Sequence, residues 1–556
     1  EMNPCIYYHP EGYTTSAPRL MGRNAAGESF LRGFFEHATV SEFWVQVENA
    51  AHSNQFTDAA RLAGRSEPVN VVDRNSRESL GRSGMVYFPG PGIGVHAYQR
   101  GTHGHGSWSL CGITHTTSSA RAMDALAELV TAPVQPWDAV ICTSRAVQDN
   151  VRRVLQAQAD YLQERLGIAR VVLPRFPVIP LGVHTQDFVF TESRKADARR
   201  SLGIDGEEVV VLFMGRLSFH AKAHPLAMYQ AIEAAVRHSG KRAVLVECGW
   251  HANDFIAKAF AEAAATACPD VRVVRLDGRK PDARGLAWAS ADIFCSLSDN
   301  IQETFGITPI EAMAAGLPVV VSDWDGYRDT VRHEIDGFRI PTLMPGAGFG
   351  SDLALRHALE IDTYDMYCGH TCTFVAVDVP AATDAFARLF ASPELRRKLG
   401  AAGQSRAREL FDWAAIIPRY EALWSELSEI RRSRSAGELK PAGRAWPARL
   451  DPFDAFAAYP TAQLTPETLL CLSDSDVDTA WRRITAYRKL AMVNFAKTVL
   501  PPEDEIRQLI EAASQGACSV GDVADVVSPS RRIEVSRAII WLVKLDILRI
   551  VRGTGR

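Results

Sequence analysis

Glu303 and Glu311 stand eight residues apart in Gln302-Glu-Thr-Phe-Gly-Ile-Thr-Pro-Ile-Glu311, between a strand-like run and an apolar, helix-like one that ends at Gly316. If a helix opens over 310–315, Glu311 sits in its first turn and Glu303 on the loop before it, so both carboxylates face a cleft above the C-terminal end of a strand. Paired acids so placed suit a ligand rich in hydroxyls. The amides of Phe305, Gly306, Ile307 and Thr308 would meet a phosphate, because a helix N-terminus carries unpaired N–H groups and partial positive charge. A sugar nucleotide offers both kinds of group. The same residues also fit two solvated glutamates around an ordinary helix start.

The flanking elements favour the first reading. Upstream, residues 285–299 read as a helix ending against a short apolar strand; downstream, Gly316-Leu-Pro-Val-Val-Val-Ser322 reads as a buried strand after a glycine stop. Strand, loop, helix, strand is the order of an open parallel sheet, which binds ligands beyond its strand C-termini. A second such exit is Val209-Val-Val-Leu-Phe-Met-Gly215-Arg-Leu-Ser-Phe-His-Ala-Lys222, a buried strand that releases two cations. Arginine presents a planar fork to phosphate oxygens and lysine a compact charge.

These motifs, with Asp323 to Gly326 and Glu334-Ile-Asp-Gly337, resemble the retaining glycosyltransferases of family four, over residues 4 to 432 or so. The resemblance implies a GT-B fold, two Rossmann-like domains facing a cleft. It implies transfer of a glycosyl group, most simply a hexosyl, from a nucleotide-diphosphate sugar to a hydroxyl acceptor with retention of configuration. In its terms Glu303 binds hydroxyls of the donor sugar, Glu311 those of the ribose, and Arg216 and Lys222, with Gly215 at the strand exit, hold the diphosphate. Catalytic roles fall to Glu303, Arg216, Lys222 and His115, the last in a polar strand end, Ile113-Thr-His115-Thr-Thr117. Gly27, in Leu20-Met-Gly22-Arg-Asn-Ala-Ala-Gly27, is expected to bring backbone close to the donor before a helix over 28–37. No metal and no other cofactor is expected. Two departures stand out: Arg216 and Lys222 are one residue further apart than in the common family pattern, and His184 stands where an acid is frequent.

Composition bounds the classes. The 556 residues are 47% apolar and 23% charged, with a net charge of −4, which excludes a global nucleic-acid footprint. Ten scattered cysteines suit reduced thiols; Cys368-Gly-His-Thr-Cys372 is a tight cluster without the second pair that a zinc site needs. No apolar run reaches bilayer length, and the first 30 residues lack the order of a signal peptide, so a cytoplasmic protein is expected, with peripheral membrane contact left open.

Strand-like segments at 5–9, 43–47, 69–72, 85–88 and 110–114 alternate with helix-like ones at 120–130 and 144–166, with Ser144 as a helix cap. The expected domains are residues 1–185, closed by a helix over 414–432; 186–413, with an insertion over 343–379; a linker at 433–447; and an accessory domain at 448–556. The insertion is longer than an ordinary connection and suits either an acceptor-side lid or a structural elaboration. In the last domain, helical patterns at 503–514, 519–527 and 533–548 have a winged-helix-like order, and 450–492, with Phe453, Phe456 and Tyr459, reads as helical packing. Residues 501–556 carry 8 basic and 8 acidic side chains, which favours homodimerisation or partner docking over DNA binding. The alternative function is a sugar-nucleotide-sensing regulator whose tail binds DNA or protein. A further alternative is a glucan phosphorylase or a sugar-nucleotide epimerase on the same fold; no lysine-bearing cofactor signature supports the phosphorylase.

Overall fold

The computed structural model describes residues 2–14, 22–434, 444–527 and 529–551. It comprises two units, Glu1–Trp446 and Pro447–Arg556. Most of the expected linker lies outside the described residues, as does the start of the glycine-containing segment before Gly22.

The larger unit is built on two six-stranded parallel sheets. The first contains β1 (Cys5–Tyr7), β2 (Phe43–Gln46), β3 (Val69–Val72), β4 (Met85–Tyr87), β5 (Ser109–Ile113) and β6 (Ala139–Ile141), in the order β3-β2-β1-β4-β5-β6. The second contains β7 (Val209–Met214), β8 (Ala243–Gly249), β9 (Arg272–Asp277), β10 (Ile293–Ser296), β11 (Val319–Ser322) and β12 (Gly337–Ile340), in the order β12-β11-β10-β7-β8-β9. Counted from its own first strand, each sheet has the same doubly wound order. The winding therefore reverses between β1 and β4 and between β7 and β10, and a crevice opens at the carboxyl end of each pair. Helices cover both faces of each sheet, so the central strands read as unbroken apolar runs rather than alternations. β7 is buried at every position and pairs with β8 from Val209↔Ala243 to Met214↔Cys248.

Two chain segments join the sheets. Val183 N donates to Phe411 O at 2.8 Å and Trp413 N to Val183 O at 3.2 Å, tying the outward crossing to the return. The helix Trp413–Arg432 then lies on the first sheet, with Trp413, Tyr420 and Trp424 in its core. Glycine is required on both sides of Trp413: a Cβ on Gly33 or on Gly182 would stand 2.5 Å from its indole. A bidentate ion pair, Arg100 Nη1–Asp138 Oδ1 at 2.5 Å and Nη2–Oδ2 at 2.8 Å, is fully buried at the base of β5 and β6. Leu110 N and Gln135 N satisfy the same carboxylate. His184, at the crossing, bonds Ser29 O at 3.1 Å and faces Glu36.

The insertion is pinned at its base by β13 (Thr342–Leu343), antiparallel to β14 (Ala376–Val377), and carries the helices Ser351–Ala358 and Tyr364–Cys372.

In the smaller unit β15 (Leu469–Leu472) is the centre of an antiparallel sheet between β16 (Cys518–Ser519) and β17 (Leu548–Ile550). Helices Val477–Tyr487, Glu503–Ala513, Val520–Asp525 and Arg532–Lys544 enclose a core around Leu470, Leu509, Ile539 and Leu548. From Glu503 onward the order is helix, strand, helix, helix, strand, with β15 supplied from upstream. Two expectations need correction. The 450–492 segment contributes that central strand, and Phe453, Phe456 and Tyr459 are exposed rather than packed. The last helix stops at Lys544, and Asp546 takes a left-handed conformation (φ 56°) in the turn that leads into β17 at Leu548.

Candidate functional site

The two strands that flank the second reversal, β7 and β10, deliver the charged residues. β7 ends at Met214, and Gly215 turns the chain with φ 150°, where L side chains are strained. Its neighbour at the end of the paired strand β8 must also be glycine, since a Cβ on Gly249 would lie 1.9 Å from Gly215 O. Arg216 Nη2 donates to Ala221 O at 2.8 Å and folds the loop on itself. Lys222 Nζ, at the loop's end, reaches Glu303 Oε2 at 2.5 Å.

Glu303 lies on the turn after β10. That turn is stitched to the β7 loop: Asn300 Nδ2 donates to His220 O at 2.9 Å, and His224 N donates to Asp299 Oδ1 at 3.2 Å. The helix that follows is Ile307–Ala314, so it begins before Ile310, and Glu311 falls in the second turn rather than the first. The earlier start is possible because Pro309 occupies the first turn, where a missing N–H costs nothing. Gly306 precedes the helix with φ 82°; a Cβ there would overlap the Tyr327 ring, and one on Gly326 would strike the Phe305 backbone. No side chain caps this helix, so its leading amides, Ile307 and Thr308 among them, have no side-chain acceptor at the cap.

Electrostatics divides the acids. Burial by itself would raise the Glu303 carboxyl, but the Lys222 charge and hydrogen bonds from Lys222, Thr304 N and Gly306 N outweigh it and hold the group below its ordinary value. Glu311 has no such partner. Burial pushes it up to about 7, and the Arg284 charge offsets only part of that. Burial likewise pushes Asp299 up to about 7. Asp325 is pushed well up by burial and by the neighbouring Glu303 charge, and its Oδ2 is buried without a hydrogen-bond partner. Thus Lys222 and Glu303 come together, with Arg216 in the same loop. Glu311 answers to a different cation.

The first domain supplies the opposite wall. His115 follows β5, and its Nε2 lies 2.9 Å from Pro89 O; a carbonyl only accepts, so Nε2 carries the hydrogen. Ser144 Oγ accepts from Val147 N as the helix cap and donates to Thr304 O at 2.9 Å, next to Glu303. Asp329 Oδ2 accepts from Arg145 N at 2.7 Å, which puts a carboxylate from the second domain on the positive end of the Arg145–Leu166 helix. Gly27 is a correction. It lies inside the helix Gly22–His37, and its missing Cβ makes room for Gly12 O, 1.9 Å from where that carbon would be. The glycine that looked like a loop serves helix–backbone packing. Cys368 and Cys372 are both buried, and burial pushes the Cys372 thiol up to about 12. Among the described residues no three His, Cys, Asp or Glu side chains gather as metal ligands, and no helix is long and apolar enough to cross a membrane. Asp299 and Asn300 carry no spacing signal and Ser144 signals only a helix cap; the folded loops bring all three beside the Lys222–Glu303 pair.

Residues 194–343 match the family described as Glycosyl transferases group 1. The match contains β7, β10, Arg216, Lys222, Glu303 and Glu311. An uncharacterized glycosyltransferase of Methanocaldococcus jannaschii is 28% identical over 36% of this chain and 50% of that protein. A D-inositol 3-phosphate glycosyltransferase of Thermobispora bispora is 30% identical over 34% of this chain and 44% of that protein. The chain thus spans half or less of the length of these relatives. The crystal structure of Anabaena HepE in complex with UDP superposes with a TM-score of 0.50 over 76% of this chain and all of that one, at 15% identity, and shares the GT-B fold.

Proposed function

We propose that this chain is a retaining glycosyltransferase that moves a hexosyl group from a nucleotide-diphosphate sugar to a hydroxyl acceptor. The observation that carries the proposal is the Lys222–Glu303 pair at the reversal between β7 and β10, with Arg216 in the same loop and an uncapped helix N-terminus beside it. A loop rich in fixed positive charge suits a diphosphate, and an acid held ionised beside it suits sugar hydroxyls.

In this reading the donor lies across the crevice. Its diphosphate meets Arg216, Lys222 and the amides of Ile307 and Thr308, with Gly215, Phe305 and Gly306 shaping the loops. Glu311 accepts from the ribose hydroxyls. Lys222 passes from Glu303 to the phosphate, and Glu303 turns to the donor sugar. As the bond from the anomeric carbon to phosphate oxygen breaks, its electron pair stays on the diphosphate, so cations already in place stabilise the transition state more than the ground state. The acceptor oxygen bonds to the same face of the anomeric carbon and gives its proton to the leaving phosphate oxygen. Glu303 is no nucleophile in this reading: its oxygens stay hydrogen-bonded to the amides of Thr304 and Gly306 and to the donor's hydroxyls, unlike the paired acids of retaining hydrolases. His115 stands by the reacting sugar from the first domain. The positive charge comes from the protein, so no metal is required.

The test begins with a thermal-shift panel of nucleotides, followed by transfer assays with the matching donors and with polyol, inositol phosphate and saccharide acceptors. Inositol is included because relatives carry it in their names. A product of inverted configuration, or activity that vanishes with a chelator and returns with a divalent ion, would refute the mechanism.

A further inference from the structure

The helix Tyr364–Cys372 of the insertion touches both walls of the crevice at once. On one side, Tyr364 Oη lies 3.2 Å from Thr116 Oγ1 and 3.3 Å from Ser118 Oγ, and those two hydroxyls are 2.9 Å apart. One turn on, Cys368 Sγ is 3.8 Å from Ser118 Oγ. Thr116 follows His115 directly in the chain. On the other side Gly369 rests on His220, where a Cβ would come within 2.9 Å of the histidine Cβ, and Asp365 Oδ2 is 3.8 Å from His220 Nε2. Cys372 Sγ points to Phe219 O at 4.0 Å. Phe219 and His220 belong to the loop that runs from Arg216 to Lys222.

We propose that Tyr364 is a positioning residue, the hydroxyl catch of a strap that holds the His115 loop of the first domain in register with the cationic loop of the second. This rests on reading those loops as the acceptor and donor sides of one site. The chemistry of the catch suits a contact that is made and broken in each cycle. An apolar seam would hold the domains shut, whereas three hydroxyls exchange their mutual hydrogen bonds for water at small net cost. The phenol is kept protonated by burial, which pushes it up to about 12, so it can donate to one hydroxyl and accept from the other. The base of the strap, β13 with β14, sits on the second domain. When the crevice opens for nucleotide release, the catch must part while the base stays.

Two variants of the full chain test this. Tyr364→Phe keeps the ring and removes the catch. The expected result is an unchanged melting temperature, nucleotide release at least several-fold faster by stopped flow, and a shift of several-fold in partition from acceptor transfer towards donor hydrolysis. Release and partition both equal to wild type would overturn the strap. Ser118→Cys places a second thiol beside Cys368. Oxidation with glutathione disulfide takes two electrons and two protons from the pair and should join the domains, which peptide mapping detects. Nucleotide bound beforehand should then be trapped until a reductant is added. Failure to cross-link, or a cross-linked protein that releases nucleotide at the wild-type rate, would overturn the proposal. The release measurements need no transfer activity. Absence of any transfer by the wild type therefore counts against the donor–acceptor reading and leaves the strap to be judged on trapping.

Discussion

Raising the pH from 6 to 8 should tighten binding of a nucleotide-diphosphate sugar about tenfold, and Glu311 should be the cause. Its carboxyl is half-buried and pushed up from 4.5 to about 7, so near neutrality it is a mixture of acid and carboxylate. Ribose hydroxyls donate to the carboxylate. If only that form binds, the apparent Kd is the limiting value multiplied by 1 + 10^(pKa − pH), or about 11-fold above the limit at pH 6 and about 1.1-fold at pH 8, a difference of about 1.4 kcal/mol. The ligand should be an intact donor titrated calorimetrically without acceptor, because its substituted diphosphate has no proton that leaves near pH 7. Stability moves the other way. A raised carboxyl in the folded chain contributes stability that is complete below 4.5 and lost as pH climbs through 7, so the donor-induced rise in Tm should be larger at pH 8 than at pH 6. Glu311→Gln should bind weakly and equally at both pH values. Asp299 titrates in the same range, so a Glu311→Gln protein that keeps the tenfold slope would assign it to Asp299 and refute the ribose role.

Lys222→Ala should lower turnover at saturating donor ~100-fold or more while weakening donor binding much less, as expected of a group that stabilises a leaving diphosphate; equal losses in kcat and affinity would remove that role. Arg100→Ala should cost about 3–5 kcal/mol in denaturant titrations, because Asp138 would stay fully buried without its cation. A loss below about 1 kcal/mol would mean that water reaches the site. Gly182→Ala should lower stability by about 1–3 kcal/mol through collision with Trp413, and an unchanged Tm would show that the indole swings aside.

Much of the architecture is legible in local sequence because buried parallel strands leave continuous apolar runs and their exits leave polar ones. Val209 to Lys222 and the stretch from Gln302 to Ser322 show by sequence alone where charge meets a strand end. Two of the differences share a cause: glycine and proline have several uses. The glycine-containing stretch before Glu28 suggests a loop ahead of a helix, yet Gly27 is the helix position that must pass Gly12 O. Pro309 suggests a helix that opens after it, yet proline fits the first turn and the helix starts at Ile307. The exposed aromatics near Phe456 show that an apolar side chain does not by itself announce a core.

Spacing along the chain thus determined which residue types could serve a sugar nucleotide, and that Arg216, Lys222 and Glu303 follow strand ends of an open parallel sheet, with Glu311 on the helix after one of them. Folding decided their partnerships: Lys222 with Glu303 across 81 residues, Glu311 left to burial and Arg284, and Tyr364 against Thr116 across 248. The reason is that a strand's identity follows from its own side chains, whereas the charge state and reach of a polar group depend on what other segments deliver to within a few ångströms.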